Sequence, residues 1–350
     1  GTKDVYRIRT KAGYSVRVTG DHKVWTTNRG DVPASELRPT DSVQLRGAGF
    51  GSVSLSEDAA TVLGAVVGDG CVTQGTMVIT SGKDERLVSE RFARSLNALK
   101  NEDNAHYGYS VRESHVSEAA TALRVSTSSA GVIEYLSQYA VMDEGSDRKR
   151  FTDAFFATDH LAQRAALRAL YTADGTVANY GNKSQYVSLD STSIELLQQV
   201  QLLLLNFGIK SKLYENRRSD GRISAMLPDG HGGMKEYAVK QMHSLRVSRS
   251  SRVTFEREIG FLPESKKSAV LEHVNKSFGT YGDNMEDRIF SITPDGTEDV
   301  YDLTEPVSNH FVANGMVVHN CSEYLFLVET ACNLASINLA KFYDTKSGFF

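Results

Sequence analysis

The sequence predicts a mainly β unit split by an α+β insert, the insert built from two pseudo-symmetric αββαββ-type repeats. Three observations predict it. Apolar and polar residues alternate with period two at both ends of the chain. Apolar residues recur at helical spacing through the middle. One apolar segment ending in Asp-Gly occurs twice.

At the N-terminal end, Val5 to Thr10 alternates, Lys11-Ala12-Gly13 supplies a turn, and Tyr14 to Val18 alternates again, the pattern of a β-hairpin. The far end returns to this style with Arg288 to Ile292, a turn expected at Pro294-Asp295-Gly296, then Val300 to Leu303, His310 to Val312 and Met316 to Val318. Between them, Glu85 to Leu99, Leu161 to Leu170 and Ser193 to Phe207 read as helices. The expected boundaries are residues 1–46 and 286–320 for the split β unit, 55–275 for the insert, and 321–350 for a segment of different character. Within the insert the repeats run from about 55 to 150 and from 151 to 275.

Composition narrows the function classes. A chain of 350 residues has room for two or three domains. A net charge of −4 argues against a uniformly basic nucleic-acid binder, so any such surface is local. Three cysteines, at 71, 321 and 332, make neither a disulfide framework nor a four-thiolate zinc site. No apolar run reaches the length of a membrane span and the first residues are no signal peptide, so the chain is read as cytoplasmic, with no membrane partner.

The repeated segment carries the chemistry. Val62-Leu63-Gly64-Ala65-Val66-Val67-Gly68-Asp69-Gly70 is echoed by Ala166-Leu167-Arg168-Ala169-Leu170-Tyr171-Thr172-Ala173-Asp174-Gly175, with Asp69 and Asp174 separated by 105 residues. Small residues on both segments allow two helices to approach closely. Gly70 and Gly175 suit the stops of those helices. Asp69 and Asp174 would then meet beside an internal pseudo-two-fold axis, as expected of a monomer. Two carboxylates in repulsion call for divalent cations, and hard oxygen ligands favour Mg2+. Such a centre can activate water and stabilise the leaving oxygen of a phosphodiester.

These motifs resemble the LAGLIDADG homing endonucleases over roughly residues 55–275, although Ala169 stands where the family usually has glycine. The resemblance implies that Asp69 and Asp174 bind metal and that the partner is double-stranded DNA. Phosphates dominate affinity for such a partner, so basic strand surfaces are needed. From Leu205 to Asn275 there are thirteen Lys or Arg and eight Asp or Glu. The expected DNA contacts are Arg217, Arg218, Arg222, Arg246, Arg249 and Arg252, in hairpin-like stretches, with Lys266 and Lys267. Lys149, Arg150, Lys266 and Lys267 resemble the basic segments that close family repeats, where one such residue stabilises charge during cleavage.

The split β unit carries a second set of motifs: Thr19-Gly20-Asp21-His22, then Val300 to Thr304, Asn309 to Gly315, and Val317-Val318-His319-Asn320-Cys321. In order and spacing they resemble the blocks of inteins, which implies a splicing fold of the Hint type. An asparagine cuts its own peptide bond when its side-chain amide attacks its backbone carbonyl, a reaction that needs proton transfers. By resemblance, His319 assists the leaving amine, His310 orients or activates Asn320, Cys321 is the thiol nucleophile of transesterification, Asp302 tunes that thiol, and Thr19 with His22 polarises the upstream scissile amide. No cofactor is implied for splicing. An intein begins with Cys or Ser, and Gly1 opens this chain beyond that point. The expectation is therefore a missing N-terminal intein/extein segment, without which the chain does not splice alone.

After Asn320, the run Cys321-Ser322-Glu323 and the stretch Thr330 to Leu339 resemble ribonucleotide reductase, more particularly the adenosylcobalamin-dependent class. That resemblance covers about thirty residues and implies Cys321 as thiyl-radical cysteine, Glu323 as its acid/base partner and Cys332 as a redox thiol, with adenosylcobalamin serving the mature host enzyme. Three functions compete: a self-processing element that also cleaves DNA, an endonuclease with a residual splicing half, and a DNA-binding protein that does not cut. Intact His319, Asn320 and Cys321 speak against the second, and intact Asp69 and Asp174 against the third.

Overall fold

The computed structural model describes residues 1–107, 112–181, 183–218, 224–228, 233–300 and 308–320. Arg222, Asp302, Cys321, Glu323 and Cys332 lie outside them. Among the described residues no helix is long and apolar enough to cross a membrane.

Strands from the two ends of the chain combine in one eight-stranded sheet. Its order is His310–Ala313, Met316–His319, Lys23–Thr26, Ser42–Gln44, Glu286–Asp299, Thr2–Thr10 and Ser15–Thr19, with Gly30–Pro33 paired to Lys23–Thr26. The alternation read in the sequence sets which side chains turn inward: Ile8, Val16, Val24, Val43, Ile289 and Val318 are buried together with Tyr14, Leu45 and Met316. The expected turn at Pro294-Asp295-Gly296 is instead a β-bulge in the middle of the long strand Glu286–Asp299. Pairing passes from Asp4↔Thr297 to Tyr6↔Pro294, so Asp295 and Gly296 stand opposite Val5 alone and the long strand has one extra residue. Gly296 takes φ +83° there, and Asp295 accepts from Arg7 NH2 at 2.7 Å. Cross-strand partners on both sides hold the chain extended where local turn chemistry would have reversed it.

Each half of the insert is built alike. A helix, Glu57–Asp69 or His160–Asp174, starts on a side-chain cap: Ser56 Oγ accepts from Ala59 N at 3.2 Å, and Asp159 Oδ1 accepts from Ala162 N at 2.9 Å. A four-stranded antiparallel sheet follows. In the first half the order is Gly70–Thr73, Thr76–Gly82, Ala122–Thr127 and Ser117–Glu118; in the second it is Gly175–Asn179, Gln185–Ser191, His243–Ser248 and Lys212–Tyr214. Numbered along the chain within each half, both sheets read 1-2-4-3, so the internal repeat is a repeat of topology as well as of motif. The interposed helices Arg86–Tyr107 and Ile194–Asn206 carry buried faces onto these sheets through Phe92, Leu96, Leu197 and Leu204.

Insert and β unit share side chains. Leu205, on the helix Ile194–Asn206, is buried in the β unit's core. Gln201 Nε2 donates to the carbonyl of Ala12 at 3.0 Å, and Leu213 N donates to the same oxygen at 2.9 Å. The Lys11-Ala12-Gly13 turn is thereby held by the insert.

Candidate active site

Glu57–Asp69 and His160–Asp174 pack against each other backbone to backbone. A β-carbon on Gly64 would stand 2.0 Å from the carbonyl oxygen of Ala166, and one on Gly68 would stand 2.9 Å from Cβ of Ala173. These are separations that only glycine permits. Ala169, the counterpart of Gly64, is itself fully buried. Gly70 and Gly175 stop their helices differently from the expected left-handed cap. Both are extended, with φ −135° and −74°. They are needed for space: a β-carbon would come within 2.7 Å of Val78 O at Gly70, and within 2.4 Å of Tyr171 O at Gly175.

This crossing delivers Asp69 and Asp174 to the same place. Both residues keep solvent access, yet the protein atoms around each carboxylate remove enough hydration to raise its affinity for a proton. That crowding pushes the Asp69 carboxyl above its usual range. For Asp174, crowding and then the charge of Asp69 push the carboxyl up to about 6. A helix C-terminus, lined with carbonyl oxygens, is itself an unfavourable place for a carboxylate. Two lysines oppose this. Lys149, buried, donates from Nζ to Val66 O at 3.1 Å and to Gly68 O at 2.8 Å. Lys267 donates to Thr172 O at 2.6 Å and Ala173 O at 3.4 Å. One lysine thus closes the end of each motif helix. Burial draws the Lys149 ammonium below its ordinary range, and Asp174 and Asp69 oppose the shift.

Two carboxylates beside carbonyl-rich helix ends, one raising the other's proton affinity, form an oxygen-rich centre, and such a donor set fits Mg2+ held by Asp69 and Asp174. One consequence can be measured without metal. Asp174 takes a proton more readily folded than unfolded, so its ionisation weakens the fold as pH rises from about 4 to 6 and the penalty stays above that range. In chelator, Asp174→Asn is expected to raise stability at about pH 7 by ~1 kcal/mol, a figure discounted for the solvent access of the side chain. Below about pH 4 the gain should vanish. Urea unfolding at the two pH values checks this, and an equal effect at both would contradict the assignment.

Beside this centre, the outward face of the second sheet is basic and aromatic. Arg246 lies over Tyr186 at 4.4 Å and over Tyr214 at 4.7 Å, and Lys212 Nζ stands 5.0 Å from the Tyr214 ring. These residues line an open groove of about 530 Å³ together with Lys183, Arg249 and Tyr281. Arg217 is exposed, 5.8 Å from the Tyr214 ring. The backbone N–H of Arg218 donates to Gln241 Oε1 at 3.2 Å.

Three placements differ from the sequence reading. Arg249 and Arg252 sit on the helix Arg249–Glu258, not in a hairpin. Arg252 is 2% exposed and lines the inner wall of the groove, its guanidinium donating to Asn275 Oδ1 and to Phe278 O, so most of its surface is committed to the fold. Lys267 is committed to a helix end beside the aspartates, whereas Lys266 is exposed with Nζ 3.5 Å from Asp84.

The second cluster lies at the end of the β unit. His310 and His319 are cross-strand partners with ring centres 5.1 Å apart. Asn320 is fully buried, and its N–H donates to Asn309 O at 3.0 Å. His319 Nδ1 is buried and makes no hydrogen bond to a described residue. His22 meets the same hairpin through Phe311, at 6.2 Å between rings. The Thr19 hydroxyl is turned to Asp21, whose carboxyl this hydrogen bond holds below its usual range. Asp31, not singled out from the sequence, stands between the two histidines, 2.9 Å from His310 Nε2 and 4.0 Å from His319 Nε2.

Residues 162–260 match the family model of the LAGLIDADG-like domain. By that match the second half of the insert is a LAGLIDADG-like domain. Over 376 aligned residues the chain is 26% identical to the ribonucleoside-diphosphate reductase NrdEB subunit alpha of Bacillus subtilis, covering 98% of this chain and 34% of that protein. It is 23% identical to the replicative DNA helicase DnaB of Rhodothermus marinus, covering 92% of this chain and 40% of the helicase. The chain therefore spans about a third of the length of the first of these relatives. Among solved structures, mesophilic variants of the homing endonuclease I-DmoI align with 62% of this chain and 97% of theirs, at 19% identity and a TM-score of 0.41.

Proposed function

We propose that the LAGLIDADG-like insert is a metal-dependent endonuclease that cuts double-stranded DNA at a specific site, and that it interrupts a self-processing Hint-type β unit within a ribonucleotide reductase precursor of the cytoplasm. The observation that carries the endonuclease is the meeting of Asp69 and Asp174 at the ends of two helices packed through Gly64 and Gly68. Bound there, Mg2+ would supply Lewis acidity and an activated water. The chain's own part is to hold both carboxylates ionised and oriented. Lys149 and Lys267 fix the helix ends, and the ammonium groups lower the field against the paired charges. Arg246, Lys212 and Arg217 offer phosphate contacts on the adjoining sheet face.

A second reading, self-processing at the Asn320–Cys321 bond, is favoured by the buried Asn320 and the histidines beside it. Near-complete alignment with a reductase and with a helicase, two enzymes of different name, is what an element carried by unrelated hosts produces. The finer assignment of residues 321–350 to the adenosylcobalamin class is supported by the run Cys321-Ser322-Glu323 and the stretch Thr330 to Leu339.

The endonuclease is tested by incubating the chain and Mg2+ with a library of randomised duplex sites and sequencing the ends produced. One enriched cut sequence supports the reading. Binding without cutting, with all divalent ions tried, would reduce it to a DNA-binding module. Arg246→Ala is expected to weaken binding to any recovered site about tenfold and to flatten its salt dependence, since one phosphate contact is removed. Equal affinity and salt slope for the two proteins would place DNA elsewhere.

A further inference from the structure

We infer that Asp31 is a positioning residue of the junction, holding His310 in its doubly protonated form and setting that ring beside His319. Its effect on the Asn320–Cys321 bond rests on the self-processing reading above; its hold on His310 does not.

Asp31 lies on Gly30–Pro33, opposite Trp25 on Lys23–Thr26, and that strand borders Met316–His319 through Val24↔Val318. The sheet thereby carries a residue of the N-terminal segment to a hairpin nearly three hundred positions later. His310 Nε2 stands 2.9 Å from Asp31 Oδ1, and His310 Nδ1 stands 2.7 Å from the carbonyl oxygen of Ser308. A carboxylate and a carbonyl only accept hydrogen bonds, so both ring nitrogens must carry hydrogen and the ring is an imidazolium. Trp25 closes one side edge-on at 5.2 Å, and His319 lies edge-on at 5.1 Å. Among the described residues, the titratable groups facing His310 are Asp31, from Gly30–Pro33, and His319, from the neighbouring strand.

An imidazolium donates and cannot accept. Both N–H groups of His310 are committed to Asp31 and Ser308 O, so the ring is suited to act by its charge and by fixing the His319 ring beside it, not to remove a proton. In the cleavage, the side-chain nitrogen of Asn320 bonds to its own backbone carbonyl carbon and the C–N bond to Cys321 breaks. The amide nitrogen gives up one proton and the departing amine of Cys321 takes one. His319, with its buried Nδ1, is left to serve that transfer.

The test uses the full chain with 15N-labelled histidine. Ring nitrogen shifts at neutral pH report whether His310 carries one proton or two, and mass spectrometry follows release of residues 321–350. In folded Asp31→Asn, His310 is expected to become neutral and release to slow by about ten- to a hundredfold. Asp31→Glu should restore part of both. A doubly protonated His310 in folded Asp31→Asn would overturn the inference, as would release within twofold of the native chain. A native chain that releases nothing refutes self-processing, while the ring shifts still decide what Asp31 does to His310.

Discussion

Asp69→Asn and Asp174→Asn proteins are each expected to bind duplex DNA and to lose Mg2+-dependent cleavage by about a thousandfold or more. The size follows from what is removed. Each motif helix brings one carboxylate to the crossing, and an amide there keeps shape and hydrogen bonding while giving up the negative charge that attracts the cation. Binding is expected to survive, and even to tighten slightly, because the phosphate contacts lie on the sheet face and a repelling charge has gone. The Asp174 carboxyl, pushed up to about 6, also makes the centre sensitive to acid. With metal absent, fewer than all molecules hold both charges near that pH, so the concentration of Mg2+ needed for cleavage should rise as pH falls toward it. Cleavage assays across Mg2+ concentration at several pH values check both points. Retained cutting by either variant at saturating metal would show that its carboxylate is only a helix-end residue, and the endonuclease proposal would lose its centre.

The aspartate pair was legible in the sequence because duplication is a statement about space as well as text. Two copies of an apolar helix with small residues and a terminal acid can bury their seams only against each other, and the crossing then places Asp69 beside Asp174. The basic face was half legible. Arg246 alternates correctly with the buried Leu245 and Val247, so strand periodicity finds it. Arg252 was misread because the strand ends at Ser248 and a helix begins at once, at an Arg249 with φ +53°. Inside that helix, Asn275 and Phe278 O satisfy a guanidinium at a position where sequence patterns expect an apolar residue. The roles of Lys149 and Lys267 were hidden for a related reason. A lysine near a basic run reads as surface charge, and only tertiary packing shows its ammonium on the carbonyls of a helix end over eighty residues away. Asp31 belongs to no local pattern at all. Its meeting with His310 depends on the long-range pairing of Val24 with Val318, which joins two local hairpins and which nothing near Asp31 encodes.

Gly64→Ala offers the sharpest test of the helix crossing, because two contributions to its effect have opposite signs. Alanine in a helix interior is favoured over glycine by about 1 kcal/mol, so an uncrowded site would gain stability. Here the new carbon would lie 2.0 Å from the carbonyl oxygen of Ala166 and 2.8 Å from its carbonyl carbon, both backbone atoms of a helix that cannot swing aside. The helices must separate along their length, loosening Val62, Val66, Leu167 and Leu170, all fully buried. Overpacking of this kind costs about 1–3 kcal/mol in ordinary cores, and a backbone clash belongs at or above the upper end. A net loss of about 2 kcal/mol is expected, with Gly64→Val worse. Gly279→Ala, where a β-carbon meets nothing within 4 Å, is the control and should stay near neutral. Denaturant midpoints of the insert measure all three. The same separation draws Asp69 from Asp174, so Gly64→Ala should also lower the raised proton affinity of the Asp174 carboxyl and weaken Mg2+ binding. A stabilised Gly64→Ala protein would mean that the two motif helices are not in backbone contact, and the shared metal centre would fall with them.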